Sequence, residues 1–463
     1  MKIFQPKIFT IFKSYSKKQH INDIIAGLIV AIIALPLSIA LAIASGVSPE
    51  QGLYTAIVAG FVISLLGGSR VNISGPTAAF ATIVAGIVLD YQIEGLVIAT
   101  LLAGLILILL GLFRVGGLIR FIPKSITIGF TSGIAITILV GQIKDFLGLS
   151  YPAGTAPIET KEKFLAVIEN ITTINWWALG VGALALAILI IWPKISKKIP
   201  GSLIAVLVGT IVVLLSEINV TTIGNLYTIS SSLPKFYFPS INLDTVLELI
   251  PSAFTIALLA GIESLLSCVV SDRMIDDKHN PNTELIALGL GNICSGLFGG
   301  IPATGAIART AANVRNGGRS PISGIVHAIV LLLILLLLMP YASLIPMPVI
   351  AAILFMVAYN MSEWREFIHV IKEKSPADIC VLVLTFVLTV VFDLVVAIIV
   401  GLAVHYALFF TKKLITYVKA KKTGKEIIEE EIALNEMVDP EESEVAFGSV
   451  EGLPLNQDEN SEL

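Results

Sequence analysis

Arg309 is the most unusual residue of this sequence, because it lies where a membrane-spanning helix would be expected. Residues 299–310 read Gly-Gly-Ile-Pro-Ala-Thr-Gly-Ala-Ile-Ala-Arg-Thr, so three glycines and a proline interrupt the apolar sequence. An isolated charge is costly in hydrocarbon and by default marks a site or a pathway. A weaker copy, Gly-Gly followed by Ser-Gly-Pro-Thr-Ala, spans residues 67–78. Two interrupted segments at corresponding positions of two halves are typical of a secondary transporter's binding site.

Both interrupted segments predict the start of a helix. Ser74 can cap the first helix, and Thr304 or Gly305 can cap a second helix that runs from Ala306. Each start leaves free backbone N–H groups and a positive dipole end. If the two starts face each other inside the membrane, they form a cradle for one small anion, to which Arg309 adds a full charge. The alternative is a pair of kinked helices packed through small residues; the matched pair with an arginine favours the anion site.

Glu263 is the second outlier, because it is a carboxylate inside an apolar segment. Ser267 follows one turn later, on the same helix face. Apolar surroundings disfavour the charged form of a carboxylate. Glu263 could therefore carry a proton, or could bind a sodium ion through oxygens together with Ser267. A structural role, as the partner of Arg309 or of a backbone donor, is equally compatible with the sequence.

The composition identifies the elements that must hold these residues. The chain is 56% hydrophobic and 14% charged, whereas a soluble domain is about one quarter charged. We predict an all-α polytopic membrane protein with fourteen transmembrane segments. They lie near residues 22–45, 50–67, 74–89, 94–113, 121–143, 174–192, 200–216, 247–271, 282–299, 304–315, 320–341, 346–360, 376–392 and 394–411. Seven segments on each side of one loop predict a seven-plus-seven inverted repeat.

The predicted organisation has five parts. They are an amphipathic cytoplasmic lead-in (1–20), the first repeat (21–216), an outer connecting loop (217–246), the second repeat (247–411) and a basic-then-acidic cytoplasmic tail (412–463). Basic residues collect in the loops assigned to the cytoplasm, so we expect a multi-pass protein of the inner (plasma) membrane with both termini inside. Lipid is an expected partner and nucleic acid is not. The sequence shows no metal-ligand spacing, cofactor motif or nucleophile–base pair, so we expect no metal, no cofactor and no enzymatic activity.

An ordered set of short motifs resembles the sulfate permease (SulP) family of anion transporters over roughly residues 20–410. Each motif is weak alone, but their order is specific. They are Ala34-Leu35-Pro36, Ser74-Gly75-Pro76-Thr77, Phe121-Ile122-Pro123, Gly129-Phe130-Thr131-Ser132-Gly133-Ile134, Asn282-Thr283-Glu284-Leu285, Gly289-Leu290-Gly291-Asn292 and Arg309-Thr310-Ala311-Ala312-Asn313.

The resemblance implies a core domain (spans 1–4 and 8–11) that moves against a gate domain (5–7 and 12–14), with an anion between spans three and ten. The resemblance implies that the family's substrate contacts fall on Thr77, Ala78, Ala306 and Ile307 of this sequence. Together with Gly305 and Arg309, these residues make up the predicted substrate site. Glu263 matches an acidic residue tied to proton or sodium coupling. Ser267 matches a hydroxyl position beside it in cyanobacterial bicarbonate carriers. Family members often form homodimers.

Two departures from the family pattern stand out. Leu37 follows the first-span Leu-Pro, where many relatives have glutamine, so this chain lacks one side-chain contact to the substrate. The tail is too short for the family's C-terminal STAS domain, so the sequence predicts a form that lacks it.

We therefore expect a secondary active transporter of a small inorganic anion that works by alternating access. Sulfate is the first candidate and bicarbonate the second. Proton symport is favoured over sodium coupling, because a glutamate replaces the aspartate of sodium-coupled relatives. The alternatives are an anion channel or exchanger on the same fold, a sodium-coupled bicarbonate carrier, and a dicarboxylate or nucleobase permease. A nucleobase site would need hydrogen-bonding side chains where Leu37, Ala306 and Ile307 are apolar.

Overall fold

The computed structural model describes residues 4–11, 16–117, 123–152, 157, 159–196, 199–240, 242–373, 375–392 and 394–423. Most of the predicted tail and two residues of the Phe-Ile-Pro motif, Phe121 and Ile122, lie outside the described residues.

The first half of the chain forms helices joined by short connections. In order they are α1 (Ile8–Ile11), α2 (Lys17–Ala44), α3 (Pro49–Leu66), strand β1 (Ser74–Gly75), a 3-10 turn (Ala78–Phe80), α4 (Ala81–Leu112), α5 (Lys124–Leu147), α6 (Thr160–Glu169), a 3-10 turn (Ile171–Thr173), α7 (Trp176–Ile195) and α8 (Gly201–Ser216). Because α2 begins at Lys17, the first span starts inside the stretch assigned to the lead-in.

The second half also has two long helices before its short strand, but the helix that follows this strand is short. It contains α9 (Ile223–Leu226), α10 (Leu243–Ile275), α11 (Pro281–Leu297), strand β2 (Thr304–Gly305), α12 (Ile307–Arg315), α13 (Pro321–Leu338), a 3-10 turn (Met339–Leu344), α14 (Met347–Met361), α15 (Trp364–Glu373), α16 (Pro376–Val391) and α17 (Leu394–Thr423).

Several helices begin at a proline that follows a serine or an asparagine. Pro281, Pro321 and Pro376 open α11, α13 and α16, and the side chain of the preceding residue accepts a hydrogen bond from an N–H of the first turn. Proline fits a first helical turn, since its missing N–H would have no helical partner there. The local sequence therefore fixes where these helices start.

The predicted all-α membrane fold is confirmed. Within the described residues, eight helices are long and apolar enough to cross a membrane, and three more are apolar but shorter. Helix α4 contains two of the predicted segments, which meet at Gln92, where the backbone leaves the helical region with φ 59°. The sequence missed two short helices, α6 and α15, because their polar faces do not raise the hydropathy. The count of fourteen spans and the inverted repeat stay predictions.

Helices α4 and α11 approach each other through glycines. A Cβ atom on Gly104 would lie 2.7 Å from the Gly289 carbonyl oxygen, and one on Gly289 would lie 2.5 Å from the Gly104 carbonyl oxygen. Small residues allow such close backbone contact between membrane helices. This packing holds the backbones of α4 and α11 in close contact.

The chain forms two compact units. The larger contains Met1–Ile119 and Ile134–Met361, and the smaller contains Arg120–Gly133 and Ser362–Leu463. All predicted site residues belong to the larger unit. In the smaller unit, Ile128, Val370 and Leu382 form a buried apolar cluster. These units differ from the expected core and gate, and the core–gate arrangement stays a prediction.

Candidate functional site

A two-stranded antiparallel sheet joins the two interrupted segments. Ser74 lies opposite Gly305, and Gly75 lies opposite Thr304. The pairing continues where the Ala306 N–H donates to the Ile73 carbonyl oxygen at 2.9 Å. All four strand residues are buried. The structure therefore brings together two segments that lie about 230 residues apart, as the anion-cradle hypothesis requires.

The helix starts differ in detail from the sequence prediction. Ser74 and Thr304 do not cap helices, because both are held in the strands, and the Thr304 hydroxyl donates to the Ala260 carbonyl oxygen at 2.8 Å. The first helix start is instead capped by Thr77, whose hydroxyl accepts a weak bond from the Ala79 N–H at 3.5 Å.

Gly305 is also wrong as the predicted cap of the second start. It lies in β2, and the cap of α12 is Ala306, which offers no side-chain hydrogen bond. The first N–H groups of α12 therefore carry the positive dipole end with no side-chain cap.

The Arg309 side chain is buried between the two segments with spare hydrogen-bond donors. It is 2% exposed, and its Nη2 donates to the Pro76 carbonyl oxygen. Among the described residues, its Nε and Nη1 have no hydrogen-bond partner. A Cβ atom added to Gly75 would lie 2.5 Å from Nη1, so the guanidinium rests against the backbone of β1. A buried cation with unused donors is suited to binding an anion, since charge-assisted hydrogen bonds are the strong ones.

Glu263 of α10 lies near Arg309 and Thr77. Its carboxylate interacts with the Thr77 side chain and, electrostatically, with Arg309. Among the described residues, the direct ion pairs involve other groups, so Glu263 and Arg309 attract each other without touching. Both the coupling role of Glu263 and its structural role as the partner of Arg309 or of a backbone donor stay predictions.

The predicted substrate residues lie at the two helix starts that follow β1 and β2. Ala78, Gly305 and Arg309 are buried. Four further residues, Thr77, Glu263, Ala306 and Ile307, are partly exposed. Their roles as substrate contacts stay predictions.

Ser267 forms its side-chain contacts with Asn72 and Thr310. Its hydroxyl donates to Asn72 Oδ1 at 2.7 Å and lies 3.1 Å from Thr310 Oγ1. The hydroxyl is therefore already engaged in a buried network, and the ion-coupling role of Glu263 and Ser267 stays a prediction.

Sequence reasoning missed the functional interest of Asn72 and Glu284. Glu284 is fully buried, and its Oε2 accepts from the Gly68 and Ser69 N–H groups at 2.8 and 3.1 Å. Glu284 entered the sequence analysis only as part of a family motif. The available signal was its charge near the start of an apolar segment, which by itself calls for a buried partner.

A second charged cluster lies in the loop between α10 and α11, outside the spans. Asp277 Oδ2 is 2.9 Å from Lys7 Nζ and 3.1 Å from Arg70 Nε. Burial raises the pKa of Asp277, but the hydrogen bonds from Lys7 and the Lys278 backbone and the charges of Lys7 and Arg70 outweigh it. The net effect holds the pKa of Asp277 below its usual value. This cluster ties the N-terminal segment to two loops of the larger unit.

In the described part of the chain, no group of three or more His, Cys, Asp or Glu side chains is placed to hold a metal ion.

Paired breaks in membrane helices, with a buried cation between them, define a polytopic membrane protein with a transporter-type site. The chain belongs to the sulfate permease family, whose sequence profile matches residues 21–385.

Two bacterial relatives illustrate the range of the family. YvdB of Bacillus subtilis (strain 168), a protein named as a candidate sulfate transporter, is 45% identical over 381 residues, which is 81% of this chain and 71% of YvdB. The bicarbonate transporter BicA of Picosynechococcus sp. is 35% identical over 374 residues, which is 78% of this chain and 65% of BicA.

Solved structures agree with the fold. The transmembrane domain of a cyanobacterial bicarbonate transporter BicA matches with a TM-score of 0.74 and 29% identity, over 84% of this chain and 98% of that domain. SLC26A9 matches with a TM-score of 0.80 at 21% identity, over 88% of this chain and 68% of SLC26A9. The second likeness concerns the fold alone.

Proposed function

We propose that this anion transporter is a secondary active carrier that binds one small inorganic oxyanion between β1, β2 and the two helix starts. Sulfate is the first candidate and bicarbonate the second, in keeping with the names of the relatives. Alternating access, with the site opening to one side of the membrane at a time, is the mechanism that discontinuous helices support in such folds.

The observation that carries this proposal is the Arg309 guanidinium. It is 2% exposed, and within the part of the chain that the structure describes its Nε and Nη1 have no hydrogen-bond partner. It lies next to a helix start with no side-chain cap. An oxyanion offers several acceptor oxygens at once, so it can use the arginine donors and the backbone N–H groups together. Burial strengthens the attraction, because screening by water is weaker there.

Electrostatics also supports proton symport. A negatively charged Glu263 close to the site repels the anion, and a proton bound to Glu263 removes that repulsion. The proton and the anion then favour each other's binding, which is the thermodynamic requirement for co-transport. Sodium coupling would reach the same neutralisation with a cation bound to the Glu263 oxygens.

Uptake by the purified chain in proteoliposomes tests the proposal. The assay uses radiolabelled sulfate or bicarbonate, with an imposed pH gradient in sodium-free buffer and, separately, a sodium gradient at equal pH. Saturable uptake driven by the pH gradient is expected. Uptake that requires sodium would replace proton coupling with sodium coupling. Non-saturable flux that follows the membrane potential would indicate the rival function of an anion channel.

Arg309→Gln tests the site itself. It removes the charge and most of the donors, and we expect anion affinity to fall by a factor of about 100 or more, the scale of a buried charge-assisted pair. Arg315→Gln is the matched control, because Arg315 is exposed at the other end of the same helix. Equal anion affinity in the two variants would remove Arg309 from the site.

A further inference from the structure

Asn72 connects the two helix starts to the helices behind them. It is 7% exposed and lies in the loop between α3 and β1. Its Nδ2 donates to Glu284 Oε1 at 2.7 Å and to Ser264 Oγ at 3.2 Å. Its Oδ1 accepts from Ser267 Oγ at 2.7 Å and from Thr310 Oγ1 at 3.0 Å. One side chain thus joins α10, α11 and α12 to the segment that leads into β1.

The orientation of this amide is determined by its neighbours. A carboxylate can only accept hydrogen bonds, so the amide nitrogen of Asn72 must face Glu284. The other carboxylate oxygen of Glu284 already accepts from the Gly68 and Ser69 N–H groups. Glu284 therefore fixes Asn72, and Asn72 presents its oxygen to the hydroxyls of Ser267 and Thr310.

Asn72 reaches the anion site through two residues that adjoin it. Thr310 directly follows Arg309, and its Oγ1 also accepts from the Ile73 N–H at 2.9 Å. A Cβ atom on Gly305 would lie 2.6 Å from Asn72 Nδ2, so the amide packs against the residue before the cap of α12. A shift of Asn72 would therefore move the first turn of α12, and Arg309 with it.

We propose that Asn72 is a positioning residue of the anion site, which sets the register of the α12 start and of the Arg309 guanidinium against β1. The inference rests on the proposed function, since it concerns the affinity of the same site. Asn72 acts through Thr310 and Gly305 and not by touching the anion. The four side-chain hydrogen bonds and the contact with Gly305 carry this assignment.

The assignment is tested by exchanging the hydrogen-bond donor and acceptor between Asn72 and Glu284. Asn72→Asp places two carboxylates at the 2.7 Å contact between positions 72 and 284. Glu284→Gln opposes two donors in either orientation of the new amide, unless Asn72 turns its own amide over and presents nitrogen instead of oxygen to the hydroxyls of Ser267 and Thr310. The double variant restores every bond. Its new amide at position 284 accepts from the two backbone N–H groups through oxygen and donates through nitrogen to the new carboxylate at position 72. That carboxylate in turn accepts from the hydroxyls of Ser267 and Thr310.

The measurements are binding of radiolabelled sulfate and bicarbonate to the full chain in detergent, and thermal unfolding of the same samples. We expect each single variant to weaken binding by about tenfold or more, as for one or two misplaced hydrogen bonds, and the double variant to recover most of it. Thr310→Val keeps the side-chain size and should weaken binding in the same direction, which covers the case that Asn72→Asp does not fold.

Asp23→Asn is the matched control. Asp23 is also fully buried, and it accepts hydrogen bonds from the Arg319 N–H at 2.7 Å and from Ser320 Oγ at 2.6 Å at the start of α13. It should lower the unfolding temperature and leave the anion dissociation constant unchanged.

The outcomes separate the inference from the function on which it rests. Single variants that lower the unfolding temperature but bind anions like the wild type would assign Asn72 a purely structural role and overturn the inference. A double variant no better than the single ones would overturn it as well. A wild-type chain that binds neither anion would overturn the proposed function, and the inference with it.

Discussion

Gly75→Ala should weaken anion binding by displacing Arg309 while leaving its charge in place. The added Cβ would lie 2.5 Å from Nη1 and 3.3 Å from Cζ, whereas ordinary contact begins at 3.4 Å. The guanidinium must therefore retreat by about 1 Å, the difference between contact at about 3.4 Å and the 2.5 Å approach. Gly75 is not among the described glycines with positive φ, so alanine brings no backbone strain. The substitution thus changes one variable, the position of the buried charge.

The size of the effect follows from Coulomb's law. Moving a unit charge from about 3 Å to about 4 Å from an anion loses about 1.4 kcal/mol at an effective dielectric constant of about 20. That corresponds to about tenfold in affinity for a monoanion. A dianion loses twice as much free energy, so its affinity falls about 100-fold. The ratio between sulfate and bicarbonate is therefore as informative as the absolute loss.

Gly86→Ala is the control for this experiment. The position lies in α4, where a new Cβ would meet nothing within 4 Å. It makes the same chemical change and should stabilise the helix slightly. Both variants are assayed by binding of radiolabelled sulfate and bicarbonate in detergent, with thermal unfolding as the folding check. Gly75→Ala protein that is folded and binds both anions as tightly as Gly86→Ala would refute the argument that the guanidinium position sets the affinity.

Two further predictions concern residues that are not among the proposed anion contacts. His327 is fully buried, and neither ring nitrogen has a hydrogen-bond partner among the residues that the structure describes. His327→Leu should therefore leave the unfolding temperature unchanged or raise it, with a gain of up to about 1–3 kcal/mol in the free energy of unfolding. A clear drop in the unfolding temperature would show that the ring is hydrogen-bonded in solution. Asp277→Asn should destabilise the chain at pH 7, because it removes a carboxylate whose pKa is depressed in the folded state. The stability that this carboxylate contributes is present above about pH 4, and it is lost as the pH falls through the pKa of Asp277 in the folded protein. Unfolding temperatures measured from pH 7 to pH 3 should therefore converge with those of the wild type at the acid end, while Asp276→Asn, at an exposed neighbour, should follow the wild type throughout.

Much of this protein could be predicted from local sequence. The apolar runs indicated the helices, because about twenty apolar residues in sequence are what a membrane span needs. Arg309 and Glu263 stood out for the same reason, since a charge among apolar neighbours is conspicuous without any knowledge of the fold. The breaks near Pro76 and Pro302 were visible as glycines and prolines within apolar sequence.

The contacts of the site were decided by the tertiary structure. The caps moved to Thr77 and Ala306 because the preceding residues pair with each other as strands, and no local pattern reports a partner in the other half of the chain. Ser267, one turn from Glu263, turned to Asn72 instead. Asn72 and Glu284 gained their importance only when a loop of one half met a helix of the other. Hydropathy is a property of neighbours along the chain, whereas a buried hydrogen bond depends on which distant groups must satisfy each other once water is excluded.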